Sequence, residues 1–151
     1  MSSLQPRDPA YAERVAASFG RQAVMGVIGA SLRRVMPGVV EIALPFRFDL
    51  SQQHGFLHAG ITTAIVDSAC GYAALSLMPA GAGVLTVEFK VNFLAPAAGE
   101  QFIARGRVVR AGRIMTVCTG EVAAVSEGDE KAICLMQATM ISVTGQPGVQ
   151  D

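Results

Sequence analysis

The residues best suited to chemistry lie in one short segment, 52–60, and in a single acidic residue that follows it. The segment reads Gln-Gln-His-Gly-Phe-Leu-His-Ala-Gly, and Asp67 comes soon after it in a long apolar run. Backbone N–H groups at the start of a helix lack partners and carry the positive end of its dipole. The amides of Ala59 and Gly60 are therefore candidates to hold a developing oxyanion.

Asp67 is the candidate base or nucleophile. Its neighbours Ile65, Val66 and Ala69 are apolar, and burial disfavours the charged form of a carboxylate unless a specific group compensates. A carboxylate in such surroundings is costly unless it has a partner or a use, which favours catalysis. The structural alternative is a carboxylate that only caps a helix or pairs at an interface.

Ala59 and Asp67 are too far apart along one helix to act on the same carbon. Eight residues at about 1.5 Å rise separate them by roughly 12 Å, whereas a base works within about 3 Å of the group it activates. We therefore predict that the two groups of one site come from different copies of the chain. A two-fold dimer would bring each Ala59 near the other copy's Asp67 and cover the helix's remaining apolar side.

Four nearby residues have structural interpretations as well as chemical ones. His58 precedes the helix, so it is a candidate to orient neighbouring groups or simply to cap the helix. Gln52 is open to the same two interpretations. His54 is interpreted as a loop residue, and Cys70 as a buried, inert thiol because no base lies near it in the pattern.

The hydrophobic pattern predicts the elements that must position these residues. Asp8 and Pro9 are typical of a helix start, and the short helix that follows ends at Gly20. A hairpin turns at Pro37-Gly38, and a long helix follows it. The predicted ranges are 28–36 and 39–46 for the hairpin, 59–78 for the helix, and 84–94, 102–110, 114–125 and 132–143 for later strands. The order predicts an α+β fold with a curved antiparallel sheet wrapped around the helix.

Length and composition predict one domain of 28–144, an N-terminal helical flank of 1–27 and a disordered tail of 145–151. Twelve basic residues balance twelve acidic ones, so nucleic acid and an anionic membrane surface are not expected as main partners. Three scattered cysteines and two histidines favour reduced thiols over disulfides or a metal site.

The apolar run at 59–78 superficially resembles a membrane span, but Asp67 near its middle would be expensive in lipid. A helix buried in a soluble protein is the better interpretation. The first residues, Met-Ser-Ser-Leu-Gln-Pro-Arg-Asp, lack the apolar core of a signal peptide. We therefore expect a cytoplasmic protein.

The pattern of Gln52, His58-Ala59-Gly60 and Asp67, with the later VEFKVNFLAPAAGE and RVVRAGR, resembles a known family. It is similar to the hotdog-fold acyl-CoA thioesterases of the phenylacetic-acid-degradation and 4-hydroxybenzoyl-CoA type over about residues 48–145. The resemblance implies the hotdog fold and hydrolysis of a small or medium, aryl or aliphatic, acyl-CoA to free acid and CoA. We also expect no metal or redox cofactor, and a homodimer or a dimer-of-dimers tetramer.

The resemblance further implies individual roles. Asp67 attacks the thioester or activates water, the Ala59 amide polarises the carbonyl, and Gln52 orients water or the acyl group. His58 orients neighbouring groups, and Thr86 positions the hydrolytic water. Two departures limit the transfer: Ala59 stands where the family has glycine, which adds a methyl group to the site, and Gly71 replaces a threonine found in some relatives.

Binding residues are predicted more broadly. Arg110 and Arg113 are candidates for the phosphates of coenzyme A, since guanidinium groups recognise phosphate well, although hairpin charges can be merely solvated. Gly60 is expected at the substrate, and Phe56, Leu57 and Met78 are candidates for an apolar acyl pocket. Two other functions compete with hydrolysis: a non-catalytic acyl-CoA or acyl-ligand binder, and a hotdog dehydratase acting on 3-hydroxyacyl thioesters.

Overall fold

The computed structural model describes residues 4–151, in which three α-helices accompany six β-strands. The helices are α1 (Tyr11–Arg21), α2 (Ala23–Ile28) and α3 (Ala59–Leu75). The strands are β1 (Ser31–Met36), β2 (Val39–Pro45), β3 (Gly83–Phe93), β4 (Gln101–Ala111), β5 (Met115–Ser126) and β6 (Asp129–Val143). A 3-10 turn at Phe48–Leu50 leads from β2 towards α3.

All six strands form one antiparallel sheet in the order β1-β2-β4-β5-β6-β3. Tight turns join β1 to β2, β4 to β5 and β5 to β6, which is how antiparallel neighbours are usually connected. β3 pairs with β6 alone among residues 4–151, so it forms an edge of the sheet. The curved sheet wraps around α3, and the hotdog architecture expected from the sequence is confirmed.

The helix α3 begins where the sequence predicts it and ends at Leu75 instead of residue 78. The amides of Leu77 and Met78 bond to carbonyls three residues back, so the last turn tightens before Pro79. Arg14 of α1 satisfies the carbonyls left free at this end. Its guanidinium donates to the carbonyl oxygens of Leu75 at 2.9 Å, Met78 at 2.9 Å and Pro79 at 2.6 Å.

Close packing of α3 on the sheet depends on two glycines that face each other across neighbouring strands. Gly106 of β4 pairs with Gly120 of β5. A Cβ atom at Gly106 would clash with the Ala69 carbonyl of α3, and one at Gly120 would lie 2.5 Å from Val66 Cγ2. The helix backbone can approach the sheet here only because neither strand has a side chain at these two positions.

The N-terminal region contains a helix that the sequence pattern did not predict. Residue 28 was expected to begin a strand, but it ends α2, and β1 begins at Ser31. Gly29 adopts a left-handed conformation (φ 79°) that closes α2. A run of six apolar residues is ambiguous because periodicity cannot separate so short a helix from a strand. The first three residues of the predicted flank lie outside the described residues, and the division at residue 28 stays a prediction.

The last residues have defined contacts, although the sequence pattern predicts a disordered tail there. Val149 lies against Gly83 at the start of β3. The Asp151 carboxylate accepts hydrogen bonds from Ser18 Oγ and, at 3.0 Å, from the Val84 amide. The segment thus covers the beginning of the edge strand and connects it with α1.

The length and hydropathy of the helices also bear on the membrane alternative. No helix within residues 4–151 is both long enough and apolar enough to cross a membrane.

Candidate active site

Asp67 lies partly buried near the middle of α3, with one carboxylate oxygen bonded to β3. Thr86 Oγ1 donates to Asp67 Oδ1 at 2.9 Å, and the Met140 sulfur lies 3.4 Å from the same hydroxyl. No group of residues 4–151 bonds to Asp67 Oδ2. Thr86 therefore orients the carboxylate and leaves its second oxygen free to act, and its role in positioning water stays a prediction.

The surroundings of Asp67 change its acidity. Burial raises the pKa of the Asp67 carboxyl above its ordinary value, and the hydrogen bond from Thr86 opposes part of that rise. Both effects follow from charge, because desolvation disfavours the carboxylate while a donated hydrogen bond favours it. A carboxylate that loses solvation in this way is a stronger base and a better nucleophile once it ionises.

The start of α3 carries one free amide. His58 is the N-cap, and its Nδ1 accepts a hydrogen bond of 2.8 Å from the Gly60 amide. The amides of Ile61 and Thr62 bond to the His58 carbonyl, whereas no group of residues 4–151 accepts from the Ala59 amide. Only Ala59 of the predicted oxyanion pair thus offers a donor, because Gly60 has already used its own.

His58 and Gly60 depend on each other sterically. A Cβ at Gly60 would lie 3.0 Å from His58 Nδ1 and 3.2 Å from its Cε1, so the absent side chain makes room for the ring. Since Nδ1 accepts a hydrogen bond, the neutral ring carries its proton on Nε2. His58 therefore has the capping role that the sequence allowed, and its Nε2–H remains available as a donor.

Gln52 is held beside the helix start by the loop that follows it. Its backbone amide donates to the Phe56 carbonyl at 2.8 Å, and its own carbonyl accepts from the Gly55 amide at 3.0 Å. The side-chain Oε1 accepts from the His54 amide. Within residues 4–151 the Nε2 group has no acceptor. The Gln52 side chain is therefore held at Oε1, and its two N–H groups can donate to a ligand.

In one chain, Asp67 and Ala59 open onto different cavities. Asp67 and Thr86 line a cavity of about 290 Å³ whose other walls come from α1, the α1–α2 junction and the last residues. Ala59 and Gln52 line a second cavity of about 560 Å³. The walls of the second cavity are mainly apolar and include Phe56, Leu57, Phe93, Leu94, Pro96 and Ile133. The fold therefore keeps the two halves of the predicted site apart within a chain.

Three predicted binding residues lie away from both cavities. Met78 is buried beside Arg113 under the β4–β5 turn, so it cannot form one apolar pocket with Phe56 and Leu57. Arg110 and Arg113 line a separate, shallow cavity with Ile114, Met115 and Val117. In a single chain the two arginines contact neither Asp67 nor Ala59.

A polar cluster that the sequence pattern did not predict lies beside Asp67. Gln22 Nε2 donates to Ser68 Oγ at 3.1 Å, and the Tyr72 hydroxyl donates to Gln22 Oε1 at 3.3 Å. Ser18 Oγ lies 3.4 Å from the Tyr72 hydroxyl, and all four residues line the Asp67 cavity. Gln22 is 46 residues from Ser68 in sequence, so only Ser68 and Tyr72, polar side chains one turn apart on an apolar helix, gave any signal.

Cys70 lies three residues after Asp67 on α3 and is fully buried. Desolvation, with smaller contributions from Cys118 and Asp67, raises the pKa of its thiol far above the ordinary value. The thiol stays protonated at neutral pH and is a poor nucleophile, as the sequence pattern indicated.

Comparison with known proteins adds an independent observation. Residues 54–131 match the model of the thioesterase superfamily. The chain is 31% identical over 111 residues to a provisionally named esterase of Halobacterium salinarum, covering 70% of this chain and 72% of that protein.

Solved structures agree with this match. A thioesterase family protein from Silicibacter pomeroyi is 53% identical, with a TM-score of 0.88 and coverage of 89% of this chain and 99% of that one. The Escherichia coli PaaI protein, from the phenylacetic acid degradation operon, has a TM-score of 0.81 at 19% identity, covering 93% and 98% of the two chains. At that identity PaaI shares the fold alone.

Proposed function

Because the chain belongs to the thioesterase superfamily and is a thioester hydrolase, we propose that it hydrolyses small or medium acyl-CoA thioesters with Asp67 as the reacting carboxylate. The observation that carries this proposal is the bonding of Asp67. The side chain is partly buried and lines a cavity; among residues 4–151 its one hydrogen bond comes from Thr86, and its second oxygen has no partner. A carboxylate that serves only structure has no need of a free oxygen there.

The proposed site combines two copies of the chain. The thioester carbonyl lies between the Ala59 amide of one copy and the Asp67 carboxylate of the other. The separate cavities of these residues support this arrangement, since one thioester carbonyl cannot lie beside both groups of the same chain. A two-fold dimer provides two equivalent sites of this kind.

Two exposed features support such a dimer. The first is the edge strand β3, whose side chains Leu85, Val87, Phe89 and Phe93 are 42–53% exposed. The second is a stripe of small side chains on α3 that the sheet leaves only partly covered or exposed: Gly60, Ala64 and Gly71, with Asp67 between them. An apolar edge strand and a helix side of small residues are both costly to leave in water and easily covered by a second copy.

Two routes lead from this arrangement to hydrolysis. Asp67 Oδ2 attacks the carbonyl carbon and expels the thiolate, after which water cleaves the resulting anhydride and releases the acid. Alternatively, Asp67 takes a proton from a water that attacks the same carbon, and the tetrahedral intermediate then expels the thiolate, which takes up that proton. In both routes the carbonyl oxygen becomes negatively charged and accepts a hydrogen bond from the Ala59 amide. His58 Nε2–H and Gln52 Nε2 are the further donors at the helix start, available to orient water or the acyl group.

The apolar lining of the second cavity supports a position for the acyl group on the Ala59 side. Phe56 and Leu57 contribute there to a mainly apolar wall, which suits a short aliphatic chain or a single ring. The phenylacetic-acid-degradation or 4-hydroxybenzoyl-CoA type, the cytoplasmic location and the tetramer all stay predictions from the sequence. Arg110 and Arg113 stay candidates for phosphate groups, and their exposure at the β4–β5 turn is compatible with that role.

The proposal is tested by thiol release from aryl, short and medium acyl-CoAs with the native chain and Asp67→Asn. We expect the asparagine variant to fold and to lose at least about a hundredfold in turnover, because it lacks a base and a nucleophile. Circular dichroism and thermal unfolding verify the fold. Turnover that survives the substitution would move the chemistry away from Asp67, and tight acyl-CoA binding without native turnover would identify a binder.

A further inference from the structure

The polar cluster beside Asp67 has hydrogen-bonding capacity that the proposed reaction does not use. Gln22 donates one N–H to Ser68 Oγ and accepts one hydrogen bond from the Tyr72 hydroxyl on its Oε1. Residues 4–151 provide no partner for its second N–H or its second lone pair. Ser68 Oγ accepts from Gln22, and its own proton has no acceptor in the same part of the chain. These groups line a cavity, so a ligand can reach them.

Tyr72 and Ser68 hold the two ends of the Gln22 amide. The Tyr72 hydroxyl donates to Gln22 Oε1 at 3.3 Å, and Gln22 Nε2 donates to Ser68 Oγ at 3.1 Å. Phe19 packs edge-on against the Tyr72 ring, with 5.8 Å between ring centres. Ser68 and Tyr72 are buried. Within residues 4–151, Gln22 thus keeps one N–H donor and one lone pair without a partner.

We propose that this cluster binds the pantetheine arm of coenzyme A, with Gln22 as the residue that recognises its amide groups. A secondary amide offers one N–H and one carbonyl, which complement the free acceptor and donor of Gln22. The inference rests on the proposed function, because it takes Asp67 as the point where the thioester bond is cleaved. It assigns the leaving thiol to the polar cavity and the acyl group to the apolar one.

The polarity of the cavity walls indicates which cavity binds the acyl group and which binds the pantetheine arm. An apolar acyl group in the Asp67 cavity would remove water from the second N–H of Gln22 and the hydroxyl proton of Ser68 and offer them no partner, which is unfavourable. The pantetheine arm would equally lose its hydrogen bonds against the apolar wall beside Ala59. Arg21, 58% exposed and 3.8 Å from Asp151, also lines the polar cavity. A cation there suits a leaving group that ends in phosphates.

The test varies the leaving thiol while the acyl group stays constant. The acyl group that the native chain hydrolyses best is attached to CoA, to pantetheine and to ethanethiol, which has no amide. Gln22→Met keeps the length of the side chain and removes its hydrogen bonds. We expect kcat/KM to fall roughly three- to tenfold for the CoA and pantetheine thioesters and to stay unchanged for the ethanethiol thioester.

Product inhibition provides a second measurement. The inhibition constant of free CoA is expected to rise in Gln22→Met by a similar factor. Gln137→Met, an exposed position on β6 outside both cavities, is the matched control and should change neither quantity. An equal loss with all three thiols would overturn the inference, because it would indicate a structural role or an acyl contact; so would no loss with any.

The same series separates this inference from the proposed function. Turnover of all three thioesters by Asp67→Asn would overturn the role of Asp67, whatever Gln22→Met does. If Asp67→Asn loses turnover but the loss of kcat/KM in Gln22→Met is the same for all three thiols, only the pantetheine assignment is overturned.

Discussion

At the scale of single residues, the free amide of Ala59 makes the most specific demand on the chemistry. Ala59 is the first residue of α3, where proline is well tolerated because the N–H has no helical partner and φ is already suitable. His58 has an extended backbone (φ −62°, ψ 136°), which a following proline requires. A backbone donor can therefore be deleted here without breaking the helix.

Ala59→Pro is expected to lower kcat by about a hundred- to a thousandfold, the usual effect of removing one oxyanion donor. Ala59→Gly is the matched variant, because it keeps the amide while also removing the methyl group. Steady-state thiol release with both variants isolates the contribution of the N–H. Similar rates in the proline and glycine variants would show that the Ala59 amide does not contact the oxyanion.

The hydrogen bond from Thr86 to Asp67 leads to a prediction about pH. Activity needs the ionised carboxylate, so kcat/KM should fall as pH drops through the Asp67 pKa. Burial raises that pKa and Thr86 lowers it in part. Thr86→Val removes the lowering contribution, so the pKa should rise further and the acidic limb of the pH–rate profile should move to higher pH.

The measurement is kcat/KM across the acidic range for native chain, Thr86→Val and Thr139→Val. Thr139 bonds to Glu88 and not to Asp67, so its variant should keep the native limb. A limb that stays in place in Thr86→Val, or moves to lower pH, would contradict the assignment of that limb to Asp67.

At the scale of elements, α3 and the sheet meet at a notch formed by Gly106 and Gly120. A methyl group at Gly106 would clash with the backbone of α3 at Ala69, and backbone cannot rotate away as a side chain can. Gly26, an exposed residue of α2, has nothing within 4 Å of a hypothetical Cβ. The same substitution should therefore have opposite effects at the two positions.

Gly106→Ala is expected to lower the free energy of unfolding by about 3 kcal/mol, the upper part of the overpacking range. Gly26→Ala is expected to raise it by roughly 0.5–1 kcal/mol, because alanine has the higher helix propensity. Urea denaturation of both variants gives the two values. Equal effects would mean that α3 does not approach β4 as closely as the structure shows.

At the scale of the whole molecule, the central question is whether one site needs two copies of the chain. An inactive Ala59→Pro chain still has its Asp67, and an inactive Asp67→Asn chain still has its Ala59. In a two-fold dimer, a mixed pair of these chains contains one intact site and one site with both defects. Neither homodimer contains an intact site.

We expect the mixed dimer, purified through a different affinity tag on each chain, to recover about half of the native activity per dimer. The two parent homodimers, purified in the same way, are the controls. A mixed dimer as inactive as both parents would place Ala59 and Asp67 of one site in the same chain. Full activity of a monomer in sedimentation would also contradict the arrangement.

Local pattern in the sequence determined the order of elements and the identity of the unusual residues. A carboxylate in an apolar helix, eight residues after a helix start, is visible without a structure because helix geometry converts sequence spacing into distance. The same spacing predicted that Asp67 and Ala59 could not meet in one chain. The short helix α2 was missed, because six residues are too few for periodicity to identify.

Only the tertiary structure decided which groups bond to these residues. In the folded chain Thr86 donates to Asp67, and the Gly60 amide donates to His58. Met78 and Phe56 line different cavities. The tertiary structure also brought Gln22 to Ser68 from 46 residues away. Contacts of this kind depend on how distant elements pack against each other, and short-range pattern carries no information about that packing.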